Sequence, residues 1–221
     1  MERIVLSWSG GKDSALALFE IQRSHQYSVA ALLTTITRDY SRISMHGVRE
    51  VLLERQAESI SLPLRKVYIP ANCTNEIYAG IMEKEMNLLK AENIYTVAFG
   101  DIFLHDVRDY RENNLRKVGM KAVFPLWSKN SQELVRYFIK LGFKAVVTTV
   151  DPRKLNPGFC GRIIDRQFIK DLPENIDPAG ENGEFHSFVF EGPIFKCPIR
   201  FSIGERVMRD SFYFCDLLPI D

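Results

Sequence analysis

Little in this chain is lopsided, and each thing it lacks closes off a class of protein. There is no CxxC pair. The four cysteines, Cys73, Cys160, Cys197 and Cys215, lie far apart, which argues against a zinc ribbon or a thioredoxin-type site. They read as reduced thiols of a cytoplasmic protein. There is no excess of charge: 29 Lys and Arg stand against 28 Asp and Glu, a net charge of +1, which gives no basis for binding nucleic acid or a membrane surface. No apolar run approaches the ~18 residues of a membrane helix. The first apolar stretch is interrupted from Ser7 to Lys12, before a signal-peptide core can form. Repeats and low-complexity segments are lacking too. What is left is 46% hydrophobic and 26% charged, the composition of a globular protein with a sizeable core. A length of 221 residues suits one domain or a domain and a half.

The chain is organised around Ser9-Gly10-Gly11-Lys12-Asp13-Ser14. A short apolar run, Ile4-Val5-Leu6, precedes it and an amphipathic stretch from Ala15 to Ile21 follows. Strand, glycine turn and helix start together make a phosphate cradle: the first N–H groups of a helix are unpaired, and its dipole favours an anion there. Paired glycines let the backbone come close and take positive φ. Lys12 adds a point charge, and Ser9 and Ser14 add hydroxyl donors. It is not a Walker A loop, because Leu6 stands where that motif has its first glycine and Asp13 where it has Ser or Thr. A carboxylate beside a polyphosphate calls for a cation between them, so Asp13 is a candidate Mg²⁺ contact. The alternative is a plain glycine turn with solvated charges.

The rest of the chain alternates strand and helix as far as Asp151. Strands are expected at 3–7, 27–37, 64–69, 95–99, 121–124 and 144–150, with helices between them. The run from Val29 to Ile36 is apolar without alternation, as a parallel strand buried on both faces should be. That pattern predicts a parallel sheet with right-handed crossovers over residues 1–151. On the helix over 75–92, Tyr78, Met82, Met86 and Leu89 form a stripe that reads as core packing, with a methionine-lined groove as the alternative. Asn130 with Glu133 is a capping-box start for a further helix. Residues 152–221 change character. They are loop-rich, with strands expected at 185–190, 195–203 and 212–217, and read as a smaller region packed over the sheet.

In an open parallel sheet, ligands bind beyond the carboxyl ends of the strands. Ser9 to Ser14, Gly100-Asp101 and Asp151 all follow strands. A glycine–acid pair at a strand end suits close approach of a ligand, whereas Asp151 beside Pro152 is equally well a turn residue. Arg108 and Arg111, three apart, share a helix face and suit a carboxylate or polyphosphate, if that charged helix is not simply solvated. In Glu181-Asn182-Gly183-Glu184-Phe185-His186, a strand starting near Glu184 puts Glu184 and His186 on one side. Such a pair can take a proton from a bound nucleophile; the alternative is a polar strand edge.

Ser9 to Ser14 resembles the SGGxDS loop of the PP-loop ATP pyrophosphatases, which cleave ATP between the α and β phosphates. Met45-His46-Gly47-Val48, Phe99-Gly100-Asp101-Ile102, Phe124-Pro125-Leu126-Trp127, Val150-Asp151-Pro152 and Gly183-Glu184-Phe185-His186 follow in order along most of the chain. Together they resemble the diphthine–ammonia ligase family. The resemblance implies an α/β fold: an adenine nucleotide alpha hydrolase-like, Rossmann-like three-layer domain with a smaller C-terminal region. It implies ATP and Mg²⁺ as cofactors, with the metal on Asp13 and Asp101 and adenine near Thr35. His46 becomes a substrate-site residue, alongside Arg108, Arg111, Glu181 and Asn182. The implied reaction forms an acyl-adenylate and pyrophosphate, then an amide and AMP, with Lys12, Asp13, Glu184 and His186 as catalytic residues. The family's acceptor is diphthine on elongation factor 2. The run from Gly183 to Phe195, with Arg209-Asp210 and Asp216 to Pro219, resembles a bacterial-type branch, for which another carboxylate is the acceptor. No glutaminase segment is evident, so ammonia would come free or from a separate donor. The competing readings are a tRNA-modifying PP-loop enzyme, a ligase for another carboxylate, and a regulator that binds adenine nucleotide without turnover. Exposed faces of the middle helices are available for pairing two copies.

If Lys12 stabilises charge on a leaving pyrophosphate, Lys12→Ala lowers turnover by about 10²–10³-fold. Release of AMP and pyrophosphate measures this, and full activity in the variant removes Lys12 from that role.

Overall fold

The computed structural model describes residues 1–40, 42–43, 47–209 and 211–220. Met45, His46 and Asp210, singled out above, lie outside them. Five strands run parallel in one sheet. β1 (Glu2–Ser7) leads through α1 (Lys12–Ser24) to β2 (Tyr27–Thr37). The two-residue β3 (Arg42–Ile43) pairs antiparallel with the end of β2. Then α2 (Glu50–Ile60), β4 (Leu64–Ile69), α3 (Asn75–Ala91), β5 (Thr96–Ala98), α4 (His105–Lys117) and β6 (Lys121–Val123) follow. The pairings give the parallel order β4-β2-β1-β5-β6.

Alternation in β1 explains why its apolar run is unbroken. Ile4 and Leu6 enter one core, with Leu16, Leu18, Leu52 and Leu53. Val5 enters the other, with Leu33, Val67, Met86, Leu89 and Leu115. A strand covered on both faces has no polar side to show. Each such fully buried aliphatic side chain contributes about 1.5–3 kcal/mol relative to an exposed one.

After α5 (Ser131–Lys140) comes β7 (Lys144–Val150), and here the expectation fails. β7 does not extend the parallel sheet. It pairs antiparallel with β8 (Phe185–Glu191) and β10 (Phe212–Pro219), and β9 (Phe201–Arg209) completes a second sheet of order β8-β7-β10-β9. An apolar strand buried on both faces fits either sheet, so its sequence does not say which one it joins. The short helix α6 (Arg166–Asp171) lies between β7 and β8, capped by Asp165, whose Oδ1 accepts the Phe168 N–H at 2.7 Å. The strand expected at 195–203 lies later, at Phe201–Arg209. The backbone of the preceding segment is engaged elsewhere: Lys196 N donates to Ser59 O, Cys197 N to Ser59 Oγ and Ile199 N to Phe190 O.

The two sheets share one core. Leu6, Leu16, Leu53, Phe138, Val146 and Phe188 belong to a single cluster. A polar seam reinforces it where β10 meets the start of α2. Arg42 Nη1 lies 2.9 Å from Asp216 Oδ1, and Arg49 holds the same carboxylate with Nη2 2.7 Å from Oδ2 and Nε 3.1 Å from Oδ1. Burial opposes ionisation, but the hydrogen bonds from Arg49 and Arg42 prevail and hold Asp216 at about 2.

A carboxyl with a depressed folded-state pKa adds stability above its unfolded value, near 3.9, and loses it as pH falls through the folded value. Urea unfolding should therefore show a loss of at most about 2 kcal/mol between about pH 5 and pH 2, since Arg49 is partly solvated. Asp216→Asn flattens that part of the profile; a slope identical to wild type would contradict the assignment.

Candidate active site

From β1 the chain winds outward to β2 and β4, then returns to lay β5 and β6 on the other side. The crevice above the carboxyl ends of β1 and β5 is thus the switch point of the sheet, where such folds bind ligands. The loop Ser9–Gly11 and the first turn of α1 sit there. Gly10 has φ +74°, and a Cβ on it would stand 2.7 Å from Gln56 Oε1 and 2.9 Å from Leu53 Cδ2. Gly11 is the N-cap of α1 and brings no side-chain cap of its own, so the positive end of the helix dipole faces the crevice with Ser187 Oγ as the partner of its first N–H. Ser9 Oγ accepts the Gly11 N–H at 3.2 Å and lies 3.3 Å from Ser14 Oγ, which donates to Gly11 O at 3.0 Å. The loop after β5 presses on this turn. A Cβ on Gly100 would lie 2.9 Å from the Asp13 carbonyl carbon and 3.1 Å from Ser14 N, so the glycine serves backbone packing.

Lys12 is 5% exposed and folds onto its neighbour, with Nζ 2.9 and 2.7 Å from the two Asp13 carboxylate oxygens. Its ammonium also stands 5.7 Å from the Phe185 ring centroid. Burial raises the Asp13 pKa; Lys12 opposes this, and Asp177 and Asp101 add to it. Asp101 is engaged by Arg111, with Nη2 3.1 Å from Oδ1 and Nε 2.7 Å from Oδ2. The latter is an ion pair without directed hydrogen-bond geometry. Arg111 also stacks on Phe99, at 4.4 Å. Arg108 is placed differently: it lies over Trp127 and Phe124, at 4.5 and 4.9 Å, and pairs with Glu112.

The C-terminal loop closes over this crevice. Glu181 Oε1 accepts the Ile102 N–H at 2.8 Å. Burial, then the charge of Asp13, raise the Glu181 pKa to about 7. Glu184 is 3% exposed; its Oε1 accepts from Asp177 N and Asn182 Nδ2, both at 3.1 Å, while Oε2 has no hydrogen-bond partner. Asn182 is exposed, and Lys154 Nζ donates to its carbonyl at 2.6 Å. Asp151 is a turn residue. Its carboxylate accepts three Arg153 N–H groups, from the backbone, Nε and Nη2, and its carbonyl accepts from Lys154 N and Leu155 N.

A cavity of about 590 Å³ opens beside the loop. Ser7, Ser9, Thr34 and Thr35 form its polar wall, Arg111 stands at one side, and His186 joins from β8. Burial and the Lys12 charge lower the His186 pKa to about 4, so the imidazole is neutral at pH 7. Tyr78, Met82 and Met86 line the apolar wall. The stripe on α3 is thus both readings at once, since Met86 and Leu89 are also buried core. The volume suits a nucleotide-sized ligand. Among the described residues no three His, Cys, Asp or Glu side chains converge on a metal position. A Mg²⁺ held by one or two carboxylates and by phosphate oxygens does not need three, and Asp13 and Asp101 lie close enough to interact.

Two polar residues of the site were missed from sequence. Gln56 is fully buried at the back of the loop, and Ser187 Oγ accepts the Lys12 N–H at 3.2 Å. Gln56 did leave a signal: it lies on the same helix face as Leu53 and Ile60, a polar residue in an apolar stripe.

Residues 1–122 match the model of the diphthamide synthase N-terminal domain, and residues 130–217 that of the diphthamide synthase C-terminal domain. The chain belongs to the diphthamide synthase family. The matched segments meet between 122 and 130, ahead of β7, which agrees with the strand's place in the second sheet. Similar proteins include the diphthine–ammonia ligase of Mus musculus, 26% identical over 235 residues, covering 95% of this chain and 86% of that protein. That of Homo sapiens is 23% identical over 237 residues with the same coverage. That of Schizosaccharomyces pombe is 25% identical over 229 residues, spanning 95% of this chain and 38% of that protein.

The raised Glu181 pKa has a measurable consequence. Such a group favours the fold below its unfolded value, near 4.3, and that advantage is lost as pH rises through about 7. Glu181→Gln should therefore stabilise the protein more at pH 8 than at pH 4, by on the order of 1–3 kcal/mol. Urea denaturation at the two pH values checks this, and an equal effect at both would contradict it.

Proposed function

We propose that this member of the diphthamide synthase family is an ATP-dependent amide ligase that joins ammonia to a carboxylate. The observation that carries the reading is the Ser9–Ser14 loop beside a nucleotide-sized cavity whose wall contains Ser9 and His186. Relatives matching 95% of the chain bear the name diphthine–ammonia ligase, and diphthine on elongation factor 2 is the proposed acceptor.

In the first step a carboxylate oxygen attacks the α-phosphorus of ATP. The bond to the β-phosphate oxygen breaks and pyrophosphate leaves, giving an acyl-adenylate. The start of α1, with its dipole, holds the phosphates, and Lys12 turns from Asp13 to meet the charge growing on the leaving group. Mg²⁺ bound through Asp13 and Asp101 would neutralise phosphate charge. Thr34 and Thr35 flank the base. In the second step the ammonia nitrogen attacks the acyl carbon, the bond to the AMP oxygen breaks, and a proton leaves nitrogen. Glu184 Oε2, buried without a hydrogen-bond partner, is the proposed proton acceptor. His186, neutral at pH 7, offers a nitrogen lone pair rather than a positive charge. Arg111, drawn off Asp101, is placed to meet the substrate carboxylate.

The test is product identity. The protein is incubated with Mg·ATP, ammonium and diphthine-bearing elongation factor 2, with phosphorus NMR for the nucleotide and mass spectrometry for the factor. AMP, pyrophosphate and an acid-to-amide mass change are expected. AMP without change in the factor would retain α–β cleavage and reject diphthine as acceptor. ADP and phosphate would overturn the reading.

A further inference from the structure

Gln56 lies outside the cavity wall and meets the loop only from behind, yet it is fully buried with both ends of its amide hydrogen-bonded. Trp8 Nε1 donates to its Oε1 at 2.9 Å. Its Nε2 donates to Gly10 O at 3.0 Å and to Val189 O at 2.6 Å. An indole N–H only donates, which fixes Oε1 on the Trp8 side and leaves both amide hydrogens for the two carbonyls. The Gly10 carbonyl takes a second bond, from Val189 N at 2.9 Å. One side chain from α2 thus ties the loop of the N-terminal segment to β8 of the C-terminal segment. Position 10 has no room for anything larger than glycine against that amide. Three residues along β8 stands His186, in the cavity wall, and between them Ser187 receives the Lys12 N–H.

We propose that Gln56 is a positioning residue that registers the nucleotide loop against β8, so that the loop and the strand carrying His186 respond to nucleotide as one unit. The proposal rests on reading Ser9–Ser14 as the nucleotide loop. A shift of the Gly10 carbonyl cannot occur alone. It pulls on the Gln56 amide and on Val189 N, and unmade bonds at this depth are expensive. Ordering the loop by phosphate therefore orders β8 with it, and the acceptor end responds to nucleotide through these bonds.

Hydrogen exchange on the full chain, with and without saturating Mg·ATP, tests this. In wild type, ATP should slow exchange in peptides covering both 9–15 and 185–190. In Gln56→Met, which keeps length and apolar packing but none of the three bonds, ATP affinity should fall about tenfold. At saturation only 9–15 should then be protected. Trp8→Phe, which removes the indole N–H that orients the amide, should move the 185–190 response the same way and serves if Gln56→Met does not fold. A merely structural glutamine would lower the melting temperature without changing which segments ATP protects. Wild-type protection of 185–190 in Gln56→Met, or in Trp8→Phe where only that variant folds, overturns the proposal. Protection of 9–15 alone in the wild type also overturns it while leaving the loop reading intact. Protection of neither segment in the wild type overturns both.

Discussion

Everything at the site hangs on one carbonyl. The oxygen of Gly10 accepts from Gln56 Nε2 and Val189 N, and it sits at the residue whose positive φ turns the chain from β1 into α1. Were that carbonyl free to rotate, the turn proposed to cradle phosphate would be a flexible glycine stretch. Two glycines supply the freedom to make the turn. The bonds to α2 and β8 take the freedom away again. This is why the second sheet cannot be an ornament on the first: β8 completes the loop it packs against.

The electrostatics follow from the same crowding. Asp13, Asp101, Asp177 and Glu181 act on one another within one crevice, while Lys12 and Arg111 are each already engaged by one of them. Burial is the largest cause of the raised pKa at both Asp13 and Glu181, and neighbouring carboxylates add to it. Such a half-buried cluster of acids resists full ionisation. A cation arriving with a polyphosphate would relieve that repulsion and release Lys12 from Asp13. His186 is shifted downward by other causes, since burial and the Lys12 ammonium both keep it neutral.

The parallel sheet was legible because its evidence is local. An unbroken apolar run, a glycine turn and an amphipathic stretch each announce themselves within a few residues, and Leu64–Ile69 and Lys144–Val150 fall where the pattern puts them. Sheet membership is not local. Lys144–Val150 reads like the other buried strands, and only its partners some 40 and 65 residues later draw it into the antiparallel sheet. β9 was misplaced for a related reason. As an edge strand with Gly204, Glu205 and Arg206 at its middle it carries no apolar run, while the more apolar segment before it bonds to Ser59 and Phe190.

The site divides along the same line. Ser9 to Ser14 and Asp101 could be read from chain position, because the carboxyl ends of parallel strands are where such folds bind ligands. Gln56 could not, since its importance is created by Trp8 and Gly10 meeting Val189 from a distant segment. Its one local trace is a polar residue where the helix face demands an apolar one. A glutamine there is tolerable only if every polar atom finds a partner, because a buried amide with an open hydrogen bond costs about 1–3 kcal/mol. Gln56 meets that condition with three bonds, and two of them end on the carbonyls whose spacing sets the loop against the strand. A residue that must be fully satisfied to be tolerated is by the same requirement a rigid one. Rigidity at this point makes the loop and β8 a single body.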